Sequence, residues 1–337
     1  MRSFTLLATG DLLSHSSVLD QARADDGGSG HDYERMLAGV RPLIEAVDLA
    51  VCHLETPVAA VGTEPDGVVP TFGAPAEIAA EMAAVGYDRC SLASNHALDQ
   101  RTAGIDATLA AFDGAGLGHA GIARSAAEAA ASVFQVNGVS VAHISASYGF
   151  NGFSPPDDEP WRVNGMDPDR IIADATAARS AGAEVVVVSL HWGIEGQRAV
   201  SDEQRAVADR LTASGVVDLI VGHHAHVVQP IERVNGRWVV FGLGNQLSGM
   251  GESTDCCGIR ALDGLMVNVR ISEQPDGSFR AEQPVAIPTY LGRRPYRVVS
   301  VATAIADPGA AGHITRSELD ASLARTSEVV GAFFGVA

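Results

Sequence analysis

The stretch Ile220-Val221-Gly222-His223-His224-Ala225-His226-Val227-Val228-Gln229 decides how the rest of the chain is read. The apolar run Leu219 to Val221 reads as a buried strand, and a tight Gly-His turn follows it. A strand ending this way delivers imidazoles to the carboxyl edge of a sheet, where open α/β folds keep their ligands. Three histidines within four residues mark that edge as the place for chemistry.

Working outward, the same pattern recurs. Phe4 to Ala8 ends at Gly10-Asp11, Leu49 to His53 at Glu55, Arg89 to Ala93 at Ser94-Asn95-His96, and Val185 to Leu190 at His191. Helical stretches separate them, around Tyr33 to Val47, Ala76 to Val85, Ala103 to Ala115, Pro168 to Ala181 and Asp202 to Ser214. Several close on a glycine of helix-cap type: Gly86, Gly116, Gly182 and Gly215. Alternation of this kind argues for a layered α/β architecture. Asn137-Gly138, Asn235-Gly236 and Asp276-Gly277 each read as a hairpin turn, so the sheet is mixed, with two sheets face to face as one arrangement the pattern allows.

Composition limits the function. The 337 residues are 46% hydrophobic, enough for a sizeable core, and 41 acidic against 23 basic residues leave a formal charge of -18. That charge repels a phosphate backbone, which argues against nucleic acid as a partner. Cys52 and Cys90 lie in strand-like runs and Cys256-Cys257 in a glycine-rich loop; none has zinc spacing, and they read as packed core thiols and a solvent-facing pair. The apolar start is too short for a signal core, and no later run is long enough to span a bilayer. The expected setting is cytoplasmic.

Three loops are too rich in Gly, Pro and aromatics to be simple connectors: Pro57 to Pro75, Ser147 to Pro168 with Tyr148, Phe150, Phe153 and Trp161, and Gly249 to Gly258. At the strand ends Asp11, Glu55, Asn95, His191, His224 and His226 offer oxygen and nitrogen donors suited to Mn, Fe, Zn or Ca. Taken singly, a strand-end His or Asn is more often a turn residue; repetition at successive edges carries the metal reading.

The ordered set Gly10-Asp11, His53-Leu54-Glu55-Thr56-Pro57, Ser94-Asn95-His96-Ala97-Leu98-Asp99, His191-Trp192-Gly193, the triple-histidine segment and Phe241-Gly242-Leu243-Gly244-Asn245-Gln246 resembles the CapA-type, capsule and poly-γ-glutamate branch of the calcineurin-like metallophosphoesterases. The resemblance implies a four-layer αββα sandwich of two mixed sheets, with residues 1–290 as the metal-dependent catalytic domain and 291–337 as a C-terminal extension packing on it. It also implies a divalent metal held by Asp11, Glu55, Asn95, His191, His224 and His226, with His223 as a variable extra. His96 takes the place of the acid/base, and Asp11 and His191 share the catalytic centre. Two departures stand out: Leu13 replaces the histidine of the superfamily's Asp-x-His, leaving His15 nearest, and Glu55 stands where an aspartate bridges.

Phosphoester hydrolysis is the superfamily's default reaction, and a non-catalytic role in polymer synthesis is a third option. Soluble relatives in the resembled group epimerise ribosomal peptides such as lasso-peptide precursors, which implies a peptide or peptide-like substrate here. Inverting a Cα needs a polarised carbonyl and two acid/base groups, and the site has more histidines than a metal needs. Epimerisation is therefore the expected reaction, with His96 and His15 moving protons, Asp99 or Glu195 orienting them, and Asn245 and the aromatics Tyr148, Phe150 and Trp161 supporting or gripping the substrate. The plainer reading of Asp99 is a helix first-turn charge, and of Glu195 a solvated loop residue.

Overall fold

A computed structural model describes residues 1–251 and 256–334. Two mixed sheets face each other. The larger contains β1 (Ser3–Leu12), β2 (Leu49–Leu54), β3 (Arg89–Ser91) and β4 (Gly118–Ala120); the smaller contains β5 (Val133–Val136), β6 (Val139–Ser147), β7 (Val185–His191), β8 (Leu219–His223), β9 (Ile231–Val234) and β10 (Arg237–Val240). The chain then returns to the larger sheet with β11 (Asn245–Leu247), β12 (Asp263–Glu273), β13 (Phe279–Ala281), β14 (Val285–Gly292) and β15 (Arg297–Ser300). Strand order is β15-β14-β12-β1-β2-β3-β4 in the larger sheet, with β11 beside β1 and β13 beside β12, and β5-β6-β7-β8-β10-β9 in the smaller.

Alternation along each strand builds the layers. Phe4, Leu6 and Ala8 of β1 meet Val185 and Val187 of β7 and Leu219 and Val221 of β8 in the core between the sheets. Leu7, Ala50 and Cys52 face outward against the helices Ser16–Asp26, Glu77–Val85 and Arg101–Ala115. Val186, Val188 and Leu190 do the same on the other side against Pro168–Ser180 and Asp202–Ala213. The result is the helix, sheet, sheet, helix sandwich.

Gly86, Gly116, Gly182 and Gly215 follow their helices with positive φ. Asn137-Gly138 and Asn235-Gly236 turn with positive φ at both residues, as hairpins of the primed type require. The expected helix from Tyr33 to Val47 is two short ones, Glu34–Leu37 and Arg41–Glu45. Gly39 breaks it by passing so close to β15 that a Cβ there would sit 2.5 Å from the Val298 carbonyl oxygen. The helix Ser16–Asp26 is additional to those the sequence predicts, its polar composition hiding the apolar period.

The thiol reading is corrected too. Cys52 and Cys90 are register partners on β2 and β3 and form a disulfide, and Cys256 and Cys257 form another. Neighbouring parallel strands bring two such side chains together on one face, a pairing that linear spacing does not reveal. The tail helix Arg316–Val330 docks through Leu319 in the outer core and an Arg325–Asp263 ion pair. Among the described residues no helix is long and apolar enough to cross a membrane.

Candidate metal centre

At the carboxyl ends of β1, β2, β3, β7 and β8 the two sheets bring together Asp11, His53, Glu55, Asn95, His191, His223, His224 and His226, all buried. Glycines make the approach possible. A Cβ at Gly10 would lie 2.2 Å from the Gly244 carbonyl oxygen, and one at Gly222 would lie 1.9 Å from that of Phe241. Each glycine thus lets the following residue, Asp11 or His223, reach the centre. His224 and His226 adopt φ of 85° and 55°, and Ala225 and Val227 between and beyond them pack into a small apolar cluster. Non-glycine residues rarely accept this backbone, and the loop holds two.

Asp11 anchors the histidines. Its Oδ1 lies 3.0 Å from His223 Nδ1; its Oδ2 accepts the His224 backbone N–H at 3.1 Å and lies 3.3 Å from His226 Nδ1. Burial opposes its charge, but the bonds from His223 and His226 outweigh burial and hold the carboxyl below the usual range. Asn245, the register partner of Asp11 on β11, gives its amide N–H to the Ala261 carbonyl and so turns its Oδ1 to His226 Nδ1 at 2.9 Å. Held by Nδ1, His226 presents Nε2 to Glu55 Oε1 at 3.7 Å.

Glu55 belongs to two of the donor groups at the centre. It is 1% exposed, and neither carboxylate oxygen has a hydrogen-bond partner. His191 Nε2 is 3.7 Å from Oε1 and 3.0 Å from Asn95 Oδ1, which faces inward because the Asn95 amide N–H donates to Asn151. His224 Nδ1 is also buried and unpartnered. Such orphaned acceptors around one carboxylate are costly unless a cation satisfies them. Burial drives Glu55 well above the ordinary carboxylate range against the pull of His226. Burial would lower His226, but Glu55 and Asp11 override it and raise it to about 10. Three overlapping donor groups result: Asp11-His53-His223, His53-Glu55-His191 and Glu55-His224-His226. Mixed oxygen and imidazole donors of this kind suit a divalent cation.

His53, which the strand-end reading passed over, belongs to two of those groups. Its Nε2 is 2.9 Å from His191 Nδ1 and its Nδ1 is 2.8 Å from Ser91 Oγ, while Ser91 Oγ reaches the Cys52 carbonyl at 3.3 Å. When Ser91 gives its proton to that carbonyl, each imidazole donates through Nδ1 and His191 Nε2 is left bare beside Asn95 Oδ1. In that arrangement His191 Nε2, Asn95 Oδ1 and Glu55 Oε1 are neighbouring acceptors, His191 Nε2 lying 3.0 Å from the first oxygen and 3.7 Å from the second. Inward alternation, Leu49, Val51, His53, is the sequence signal that marks it.

At the mouth stand two histidines that are only half-buried, His96 and His15, with Phe72 edge-on to both at ring distances of 4.7 and 5.1 Å. His96 Nδ1 lies 2.7 Å from Asp99 Oδ2, which also accepts the Phe72 N–H at 2.8 Å; Asn151 is a weaker neighbour at 3.3 Å. Asp99 thus orients His96 and lies outside the helix Arg101–Ala115. His15 Nδ1 accepts the Gly249 N–H at 3.2 Å. Tyr148 lays its ring 4.6 Å from His224, and burial raises its hydroxyl above the ordinary range. Phe150 packs on the outer core, and Trp161 sits in the turn Pro160–Arg162 with its indole N–H unpartnered. Glu195 is exposed, and its charge acts through space on Glu55 and His226. Leu13, in place of the expected histidine, is buried in the core. Of the loop Gly249 to Gly258, residues 252–255 lie outside the described residues.

Residues 5–250 match the family described as "Bacterial capsule synthesis protein PGA_cap". The chain belongs to this family. PGA_cap relatives include "PGA biosynthesis protein CapA" of Bacillus subtilis, 33% identical over 190 residues, 56% of this chain and 48% of that protein. "Capsule biosynthesis protein CapA" of Bacillus anthracis is 32% identical over 165 residues, 48% of this chain and 40% of that protein. The chain therefore spans about half the length of these relatives or less. Among solved structures it resembles the calcineurin-like phosphoesterase YfkN from Bacillus subtilis, with TM-score 0.51, 17% identity and 97% of each chain covered. It also resembles the NAD nucleotidase of Haemophilus influenzae, with TM-score 0.52, 12% identity, 99% of this chain and 65% of that one. These place the PGA_cap chain on the calcineurin-like metallophosphoesterase fold.

Proposed function

We propose that this PGA_cap protein is a divalent-metal-dependent acid/base enzyme that inverts a Cα centre in a peptide-like substrate, with a glutamyl chain as first candidate. The names of the Bacillus relatives support the substrate class. The observation that carries the reaction is the pair of mouth histidines with opposite hydrogen bonding at Nδ1. His96 donates its Nδ1–H to Asp99 Oδ2, which makes Nε2 the acceptor; His15 accepts the Gly249 N–H at Nδ1, which puts its ring proton on Nε2. One is set to remove a proton and the other to deliver one.

Glu55, Asn95, His191, His224 and His226 would hold the cation, with Asp11 and Asn245 fixing the rings. A bound cation would polarise the carbonyl next to the reacting carbon. His96 Nε2 then takes the Cα proton from one face and later releases it to solvent, while His15, charged by a proton from solvent, returns a proton from Nε2 to the other face and is left neutral. No bond to oxygen forms and no co-reactant is consumed. Tyr148, exposed over His224, lies where a substrate chain enters.

Phosphoester hydrolysis is the second reading, favoured by the His96–Asp99 pair as a leaving-group acid and by the fold. Against it, the 23 basic residues are all arginine, and among the described residues none makes an ion pair or hydrogen bond with Asp11, Glu55 or the histidines of the donor groups. Incubation with short α- and γ-glutamyl peptides in deuterium oxide separates the two. Solvent deuterium entering one Cα supports inversion; p-nitrophenol release from an aryl phosphate with Mn and no deuterium uptake overturns it.

A further inference from the structure

Away from the metal centre a cavity of about 580 Å³ opens between β4 at the edge of the larger sheet and β5 and β6 at the edge of the smaller. Such a volume suits a small molecule. Arg89, the first residue of β3, lines it and is 5% exposed. Its Nε donates to His143 Nδ1 at 3.1 Å, one terminal nitrogen donates to the His119 carbonyl at 2.9 Å, and the Phe134 ring centre lies 3.9 Å from the guanidinium carbon. No carboxylate among the described residues pairs with it; Asp88 acts on it only through space.

The acidic residues of the same wall are already matched. Arg124 pairs with Asp113 and Glu128, and Arg170 with Asp174. Arg89 is therefore a buried positive charge with neutral partners, facing an open cavity. Burial without a counter-charge is strongly unfavourable, and the physical remedy is an anion from solution. Leu117, Ile122 and Ile144 supply apolar wall for the remainder of such a ligand.

We propose that this cavity binds a small molecule with a carboxylate or phosphate head seated on Arg89, at a site separate from the metal centre. It has a physical link to that centre. Because His143 Nδ1 accepts from Arg89, its Nε2–H donates to Ser189 Oγ at 2.9 Å, and Ser189 lies two residues before His191 on the same face of β7.

Calorimetry and thermal melting of the full chain at constant ionic strength, with inorganic phosphate and succinate as separate probes, test the site. At least one probe should bind saturably, and which one does identifies the head group. Arg89→Gln should weaken it tenfold or more. Ala129→Trp, on the half-exposed wall, should block it with circular dichroism and metal content unchanged. Ala129→Trp decides the matter should Arg89→Gln fail to fold. Glu55→Gln should leave anion binding intact. Absence of saturable binding, binding that survives the folded cavity variants, or loss in Glu55→Gln each overturns the proposal.

Discussion

The two sheets contribute differently to the centre they share. The larger supplies the oxygens, Asp11, Glu55, Asn95 and Asn245, with His53 as its one imidazole in the donor groups; the smaller supplies nitrogens, His191, His223, His224 and His226. Neither sheet alone offers a complete set. Asp11 shows how the halves are joined, since a carboxylate on β1 fixes the geometry of a histidine loop that follows β8. The oxygen side sets charge, and the nitrogen side sets direction.

Removing the central oxygen donor should break this division most severely. Glu55→Gln keeps the shape and deletes the charge, so elemental analysis should show the metal lost, with affinity reduced by at least about a hundredfold. Next comes the mouth. His96→Ala should retain metal while deuterium exchange falls by about 10²–10⁴-fold, which separates cation holding from proton movement. Asp11→Asn keeps the volume but weakens the anchor of His223 and His226, and should reduce metal affinity by about 10–100-fold in a titration.

The smallest expected effect tests the nitrogen side without a substitution. His53, His143, His191 and His224 all sit below the ordinary imidazole range through burial, His224 at about 3. A depressed histidine is neutral in the fold and protonates once unfolded. Its stabilisation is thus present above the unfolded value of about 6.5 and is lost as pH falls from there toward about 3. The unfolding free energy of metal-free protein, from denaturant titration, should drop over that window by at most about 1.4 kcal/mol per pH unit for each such group. A profile that stays flat in Glu55→Gln as well, where the opposing carboxyl is gone, would overturn the burial of these rings. Glu55 and His226, both raised, act in the opposite sense, losing stability as pH rises.

Much of this was legible in the chain because strand ends and turns are local. Gly-Asp, Asn-His and Gly-His-His after apolar runs mark where strands stop, and Asn-Gly marks the hairpins. Adjacency across sheets is not local. His53 looks like an interior strand residue until β7 and β8 are set opposite it, and the Cys52–Cys90 bond appears only when β2 and β3 are paired. The break at Gly39 depends on β15, some 260 residues away, a strand the tail's own pattern does not announce. Arg89 likewise reads as one more charged residue until its surroundings are folded around it.

Splitting the donors between two sheets has a practical consequence for anyone preparing the protein. A molecule in which either half is misassembled cannot load an ion, however much salt is supplied. Ion-to-chain stoichiometry therefore counts correctly assembled molecules, and serves as a purity criterion that gel and chromatogram do not provide.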